Sequence, residues 1–260
     1  MTGIDESRAP LIDHLIELRR RLMWCVLALA ITFAISMAYA ADIFGILVRP
    51  LSDAFAEGEG RLVYTKLYEA FFVEVKVALF SAFFLSFPVI ATQIWRFVAP
   101  GLYSSEKRAF LPFLVATPVL FVMGASLAYF FVMPLAFHWF LGFQGETGGL
   151  KLEALPSTDE YLSLVMRFIL AFGISFEMPV LIMLLHRAGV VTLEQLVGVR
   201  RYMIVLSFVI AAIATPPDVV SQLMLAIPLV ALYELSLIAV RLTERRGARL
   251  ARANGVPVSE

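Results

Sequence analysis

Residues 22–41 read LMWCVLALAITFAISMAYAA, an apolar run without a charge that begins directly after Arg19, Arg20 and Arg21. A helix of about 20 apolar residues, rising about 1.5 Å per residue, crosses the roughly 30 Å of a bilayer's hydrocarbon core. This run therefore predicts a membrane-spanning helix. Similar runs fill most of the remaining chain, in which 60% of the residues are hydrophobic and 16% are charged, so we expect a membrane protein.

Six spans are predicted in all, and the other five are residues 73–97, 109–133, 161–185, 202–214 and 219–240. The third belongs to a charge-free stretch that continues to residue 145, so its helix is expected to tilt or to project beyond Pro134. The fifth reaches only roughly 20 Å and is expected to form a short hairpin with the sixth. The predicted fold is an all-α integral membrane protein with a single domain over residues 1–260 and a tail at 241–260.

Orientation follows from the basic residues, which fall mainly in alternate gaps between the runs. Of the 21 Lys and Arg residues, most lie before the first span, after the second, between the fourth and fifth, and after the sixth. Cytoplasmic loops carry such an excess, so both termini are expected in the cytoplasm. The first run is too long to be a removed signal peptide, and no cleavage site of small residues follows it. A bacterial inner membrane is the simplest location.

Composition and motifs exclude several function classes. The formal net charge is zero, and topology accounts for the basic residues, so nucleic-acid binding has little support. The single cysteine, Cys25, excludes a disulfide framework or a cysteine metal site. The HExxH, GxSxG, Walker and GxGxxG motifs are missing, so we expect no enzyme, cofactor or metal. No internal repeat is present, although many secondary transporters are built from duplicated halves.

Two glutamates stand near the expected cytoplasmic surface. Residues 10–21 predict an amphipathic helix that lies along this surface and then turns into the membrane. Glu17 is on a flank of that helix, where an (i, i+4) pair with Arg21 is the simplest interpretation. Glu106 follows two serines that can cap the next helix, so a first-turn charge is its simplest interpretation.

Several motifs occur in order through nearly the whole chain. They are His14-Leu15-x-Glu17-Leu18-Arg19, Phe87-Pro88, Gln93-x-Trp95-x-Phe97-x-x-Pro100-Gly101-Leu102-Tyr103-x-x-Glu106, Phe172-Gly173-x-x-Phe176-Glu177-x-Pro179, Thr215-Pro216-Pro217-Asp218, Leu225-Ala226-Ile227-Pro228 and Tyr233-Glu234. Together they resemble the TatC family, the polytopic subunit of the twin-arginine protein translocase.

The resemblance implies a receptor for signal peptides with adjacent arginines, which exports folded proteins at the expense of the proton gradient. It implies TatA-like and TatB-like single-span partners and self-association. By position, it places a cytoplasmic signal-recognition site at Glu17, Glu106, Arg19, Gln93, Phe97 and Leu102. The chemistry is suitable independently of the resemblance, because a carboxylate accepts the planar fork of a guanidinium in bidentate fashion and lysine would substitute poorly.

Glu177 and Arg167 lie within the predicted fourth span, where ionisable residues are costly. A structural interpretation of Glu177 is a protonated carboxyl, or one bonded to backbone groups freed by a kink at Pro179; a functional one stays equally open. Ten positions separate the two residues, too far for direct pairing, so Arg167 is expected to snorkel outward or to meet another helix. The resemblance implies that Glu177 faces a concave interior, where it either perturbs the bilayer or contacts a partner helix.

Other polar and proline residues have mainly structural interpretations. Asp218 follows two prolines and is predicted to cap the sixth span, with a transport role as the alternative. Glu234, near the inner end of that span, has the same two interpretations. The resemblance assigns Pro50, in the external segment after the first span, to the organisation of partner subunits. Prolines at positions 88, 112, 118, 134, 179 and 228 are expected to bend the helices into a concave wall.

A translocase receptor subunit is the leading hypothesis. The alternative is a proton- or ion-coupled small-solute carrier that uses Glu177 and Arg167 at depth. A third hypothesis is a membrane-protein insertase, which would bind apolar segments whether or not they carry paired arginines. Dependence on arginine therefore separates the three.

Overall fold

The computed structural model describes residues 5–55, 60–102 and 107–253, and this part of the chain is almost wholly helical. The chain divides into two compact units, Met1–Pro118 with Glu153–Ser163 and Val119–Leu152 with Leu164–Glu260. In chain order the elements are α1 (Asp5–Ala38), α2 (Ala40–Ser52), α3 (Glu69–Leu102), α4 (Lys107–Leu127), a π-helical turn (Ala128–Val132), α5 (Met133–Leu141), β1 (Gly145–Thr147), β2 (Leu150–Leu152), α6 (Thr158–Ser175), α7 (Met178–Arg187), α8 (Leu193–Gly198), α9 (Arg200–Ala214) and α10 (Val219–Ala253).

Five helical segments among the described residues are long and apolar enough to cross a membrane. They coincide with five of the six predicted spans, so the all-helical, multi-pass prediction is confirmed. The remaining predicted span, residues 202–214, falls on α9, whose 15 residues make it shorter than the others. The five segments are His14–Ala38, Glu69–Phe97, Phe113–Leu141, Thr158–Arg187 and Val219–Arg246.

α1 is one uninterrupted helix. The turn expected between residues 10–21 and the first span does not occur, and the helix continues to Ala38. The cause is local, because no proline or glycine stands between Pro10 and Gly45, and nothing interrupts the helical hydrogen bonds. α2 begins two residues after α1 ends and carries Pro50, which is buried in its last turn.

In the first unit, α1 and α3 contact each other through small and hydroxyl-bearing residues. Thr32 Oγ1 donates to the carbonyl oxygen of Ala82 at 3.0 Å, and the hydroxyls of Ser36 and Ser81 are 3.0 Å apart. Ala82 is fully buried. Small side chains let two helix backbones approach closely, and the hydroxyls then bond across the contact.

Hydrogen bonds tie together the segments of the first unit that precede α3 and α6. The amide of Val63 donates to the carbonyl of Pro156 at 3.2 Å, and the amide of Thr158 donates back to Val63 at 3.0 Å. The Tyr161 hydroxyl donates to the backbone carbonyl of Leu47 at 2.8 Å. These bonds hold α2, the segment before α3 and the start of α6 in one arrangement.

In the second unit, two glycines allow α4 and α6 to approach closely. A Cβ on Gly124 would lie 2.5 Å from the carbonyl oxygen of Phe172, and one on Gly173 would lie 2.7 Å from the ring of Phe121. Since backbone cannot move aside at such distances, glycine is required at Gly124 for this contact. Helical structure continues from α4 through the π-helical turn and past Pro134 to Leu141, as the uninterrupted apolar stretch predicts.

The fourth predicted span is broken into α6 and α7 at residues 176 and 177. Pro179 is the second residue of α7, where a missing amide hydrogen costs nothing. The sequence predicts a kink at Pro179, and the structure has a break in the helix just before this residue. α7, α8 and α10 then share a buried apolar cluster, in which the Tyr233 hydroxyl donates to the carbonyl of Leu196.

The α9–α10 hairpin is confirmed. Gln222 Nε2 donates to the carbonyl oxygen of Phe208 at 3.2 Å, and a four-residue connection joins the two helices. Asp218 caps α10 as predicted, because its Oδ1 accepts the backbone amide of Ser221 at 2.8 Å and its Oδ2 accepts the Ser221 hydroxyl.

Candidate functional site

Glu17 and Arg21 form the centre of a polar surface on α1. Arg21 Nε donates to Glu17 Oε1 at 3.0 Å, and Arg21 Nη2 makes a second, shorter bond to the same oxygen. The side chains keep 16% (Arg21) and 29% (Glu17) of their accessible surface. The (i, i+4) pair predicted from the sequence is confirmed, and it shows that Glu17 can hold a guanidinium.

Gln93 extends this surface from α1 to α3. Its Oε1 lies 3.5 Å from Arg21 Nη1, at the outer limit of a hydrogen bond. Arg21 therefore connects the carboxylate of its own helix to an amide on the neighbouring helix. The family resemblance predicts a site role for Gln93, but the sequence does not predict its contact with Arg21.

Phe97 lies one turn further along α3 and supports the N-terminal part of α1. The His14 and Phe97 rings stack with centroids 4.3 Å apart and an interplanar angle of 23°. Stacked rings contribute about 0.5–1.5 kcal/mol beyond their area burial. No binding or structural role for His14 is predicted from the sequence. The signal for one is the (i, i+3, i+7) spacing of His14, Glu17 and Arg21, which places all three on one helical face.

The opposite side of α3 is fixed by Trp95. Its Nε1 donates to Thr117 Oγ1 on α4 at 2.8 Å, in a buried contact. Because Trp95 lies two residues from both Gln93 and Phe97, α3 is held by α4 on one side and presents those two residues to α1 on the other. We call the surface formed by His14, Glu17, Arg21, Gln93 and Phe97 the α1–α3 site.

The other predicted recognition residues are only partly described. Arg19 is exposed on α1 and forms no ion pair within the part of the chain that the structure covers. Leu102 is the last residue of α3, and its side chain lies outside the described part of the structure. Glu106 also lies outside the described residues. The structure thus brings together Glu17, Gln93 and Phe97 of the six residues.

Glu177 occupies the break between α6 and α7. Its carbonyl oxygen accepts the amide of Leu181 at 2.9 Å, and both carboxylate oxygens are shielded from solvent. Arg167 is exposed on α6, ten residues or roughly 15 Å along the axis from Glu177. This spacing excludes a direct ion pair between them.

Glu234 has a basic partner on the neighbouring helix of the second unit. Arg200 Nη2 donates to Glu234 Oε2 at 2.8 Å, with about two fifths of each side chain exposed. A further contact places His186 Nε2 3.2 Å from Glu244 Oε1. Both pairs join α10 to the helices before it, which supports a structural interpretation of Glu234.

Within the described residues, no group of three or more His, Cys, Asp or Glu side chains is arranged to hold a metal ion. The α1–α3 site instead contains one carboxylate, one amide and two rings, together with the Arg21 guanidinium that the carboxylate and amide contact. The chemistry of this set is suited to a cationic, hydrogen-bond-donating group next to an apolar one.

Comparison with known proteins gives a consistent result. Residues 13–228 match the family model described as "Sec-independent protein translocase protein (TatC)". The chain is 52% identical to the TatC protein of Magnetococcus marinus, over 94% of this chain and 88% of that protein. It is 39% identical to the TatC protein of Escherichia coli, over 93% and 92% of the two chains.

Solved structures agree with the sequence comparison. A crystal structure described as the twin arginine translocase receptor TatC superposes with a TM-score of 0.78 at 44% identity, covering 88% of this chain and 98% of that one. These relatives carry the name of a translocase protein and not that of an enzyme or a solute carrier. The match spans α1 to α10, and the chain belongs to the TatC family.

Proposed function

We propose that this chain is the receptor and core subunit of a twin-arginine translocase. It binds twin-arginine signal peptides at the cytoplasmic face, and the bound proteins are exported folded with energy from the proton gradient. Membership of the TatC family supports this function. The observation that carries it is the Glu17 carboxylate, which already holds a guanidinium beside Gln93 and Phe97.

The Glu17 carboxylate has acceptor positions that Arg21 does not use. Both bonds from Arg21 end on Oε1, while a carboxylate has about four acceptor positions on its two oxygens. Oε2 is therefore the position we assign to a signal-peptide arginine. In a partly shielded site, each such charge-assisted bond contributes about 1.5–3 kcal/mol, compared with about 0–1 kcal/mol for an open surface pair.

Glu106 is proposed as the carboxylate for the other arginine. It follows Leu102 by four residues, so the chain can carry it at most ~14 Å from the end of α3. α3 also carries Gln93 and Phe97, which keeps Glu106 near the same end of the helix. Arg19 and Leu102 complete the proposed site.

The proposed topology has six spans, with α9 as the short one and both termini in the cytoplasm of a bacterial cell. At about 1.5 Å per residue, α9 spans roughly 22 Å, so the bilayer must thin there or α10 must shield its ends. The basic residues that follow the apolar part of α10 favour a cytoplasmic C-terminus.

Partner contacts are proposed at Arg167 and Glu177 in the membrane and, outside it, at the surface around Pro50, whose own side chain is buried within this chain. An exposed arginine on a spanning helix costs roughly 2.5–3.5 kcal/mol at the bilayer centre unless it finds a partner. TatA-like and TatB-like single-span subunits, or a second copy of this chain, would supply one. Glu177 would contact such a helix at the break between α6 and α7 through the exposed part of this half-buried residue, since its carboxylate oxygens are shielded.

Export in cells tests the function. The full chain is expressed with its partner subunits in a strain that lacks its own TatC, and a folded reporter carries either a twin-arginine or a twin-lysine signal. We expect export of the arginine reporter alone, and its loss with Glu17→Gln. Equal export of both reporters would favour an insertase instead.

A further inference from the structure

A cavity of about 510 Å³ lies in the first unit, where α3 and α6 both begin. This volume is within the range of roughly 300–1,000 Å³ that small-molecule sites occupy. It is at the opposite end of α3 from Gln93 and Phe97, so it is separate from the α1–α3 site. Charged and hydroxyl side chains line one part of the cavity, and apolar side chains of α3 line the other.

Glu69 gives the cavity a fixed polar base. Its Oε2 accepts the amide and the hydroxyl of Thr65 at 2.6 and 2.8 Å and the amide of Lys66 at 3.1 Å. Its Oε1 accepts the Ser157 hydroxyl at 2.9 Å and the Asp159 amide at 3.0 Å. Glu69 is only 5% exposed, and these five bonds engage both of its oxygens. Its role is therefore to position the lining segments.

Apart from Glu69, whose charge is engaged by these five bonds, the lining carries two cations and two anions. Lys76 is paired with Asp159, and its Nζ also donates to the Ser163 hydroxyl at 3.1 Å. Lys66 and Glu160 are exposed, and neither forms an ion pair with another described residue. One cation and one anion are thus left for a ligand. This balance matches a zwitterionic group better than a singly charged one.

The apolar part of the lining follows α3 from Phe72 to Leu79. Phe72, Val75 and Leu79 follow one another by about one helical turn, with Phe72 56% and Leu79 52% exposed. Tyr68 contacts the Phe72 ring edge-on, with centroids 5.8 Å apart. Aromatic rings collect at membrane–water interfaces, and α3 enters the hydrocarbon from this point. The cavity is therefore polar at the interface and apolar toward the membrane interior.

From this polarity and charge balance we infer that the cavity binds a phospholipid with a zwitterionic headgroup that carries a primary ammonium, as in phosphoethanolamine. Glu160 accepts the ammonium, Lys66 donates to the phosphate, and an acyl chain lies along Phe72 and Leu79. A primary ammonium has three hydrogen-bond donors, whereas a quaternary one has none. The headgroup bound by the site is consequently phosphoethanolamine in preference to phosphocholine or an anionic headgroup.

Lipid retention measured by native mass spectrometry tests this inference. The delipidated full chain in detergent is titrated with phosphatidylethanolamine, phosphatidylcholine and phosphatidylglycerol that have identical acyl chains. We expect the ethanolamine lipid to bind about tenfold more tightly than the other two, since one charge-assisted bond is worth about that factor. Soluble glycerophosphoethanolamine should not displace it, because that molecule lacks the chains.

Two exposed positions supply variants that leave the internal bonds intact. Glu160→Gln should reduce ethanolamine-lipid binding to the level of the choline lipid, and Lys66→Gln should weaken binding of both. Glu153→Gln and Lys151→Gln make the same charge changes outside the cavity and should have no effect. Equal binding of the three lipids, preference for phosphatidylglycerol, displacement by the soluble headgroup, or an ethanolamine preference that survives both cavity variants would each overturn the inference.

Discussion

Arg21 binds Glu17 through two nitrogens that end on the same carboxylate oxygen, Oε1. Arg21 thus occupies part of the carboxylate to which an arginine of the proposed signal peptide would bind. An incoming arginine must share Glu17 with Arg21 or displace it. Arg21 therefore opposes ligand binding in either case, through charge repulsion if Glu17 is shared and through the energy of the internal pair if Arg21 is displaced.

The variant Arg21→Gln is expected to bind a twin-arginine peptide about two- to fivefold more tightly than the unmodified chain. Loss of the Arg21 guanidinium removes the competing pair with Glu17, which is worth about 0.5–1 kcal/mol. Fluorescence anisotropy with a labelled peptide measures the change. Arg20→Gln removes the same charge from an exposed neighbour and should change the affinity less. Weaker peptide binding by Arg21→Gln would show that Arg21 organises the site.

Glu69→Gln is expected to lower the free energy of unfolding by roughly 3 kcal/mol. An amide has one acceptor oxygen, so donors such as the Asp159 amide lose their partner in a buried setting. Thermal unfolding in detergent measures this loss. Glu74→Gln makes the same substitution at an exposed position of α3 and should be nearly neutral. Similar melting temperatures for the two variants would contradict the role given to Glu69.

Gly124→Ala should destabilise the second unit by about 1–3 kcal/mol, because its Cβ would lie 2.5 Å from the carbonyl oxygen of Phe172. Gly45→Ala is the matched control, since no atom lies within 4 Å of the added Cβ. Alanine in a helix interior is favoured over glycine by roughly 0.5–1 kcal/mol, so this control should unfold at the same or a slightly higher temperature. A Gly124→Ala protein as stable as the control would disprove the close contact of α4 with α6.

Local patterns predicted much of this architecture. Charge-free runs located the five long spans because hydrocarbon excludes charge over the full length of a helix. The (i, i+4) spacing predicted the Glu17–Arg21 pair, and the Pro-Pro-Asp sequence predicted the cap at Asp218. Each of these depends on residues within a few positions of one another.

Contacts between distant segments could not be predicted in this way. Glu69 bonds to Ser157 and Asp159, about ninety positions away, and nothing in the sequence near Glu69 signals that meeting. The contact of Arg21 with Gln93 is equally non-local. The absence of a turn after residue 21, by contrast, could have been predicted from the sequence. No proline or glycine stands between Pro10 and Gly45, and this favours a continuous helix.

The central claim is arginine-selective peptide binding at Glu17 and Glu106, and peptide affinity in lipid nanodiscs measures it most directly. A labelled twin-arginine signal peptide is compared with its twin-lysine version on the unmodified chain, on Glu17→Gln and Glu106→Gln, and on Glu194→Gln as an exposed control in α8. We predict at least tenfold weaker binding of the lysine peptide and a similar loss with each site variant alone. Affinity that is indifferent to lysine and to both glutamates would contradict the proposed site.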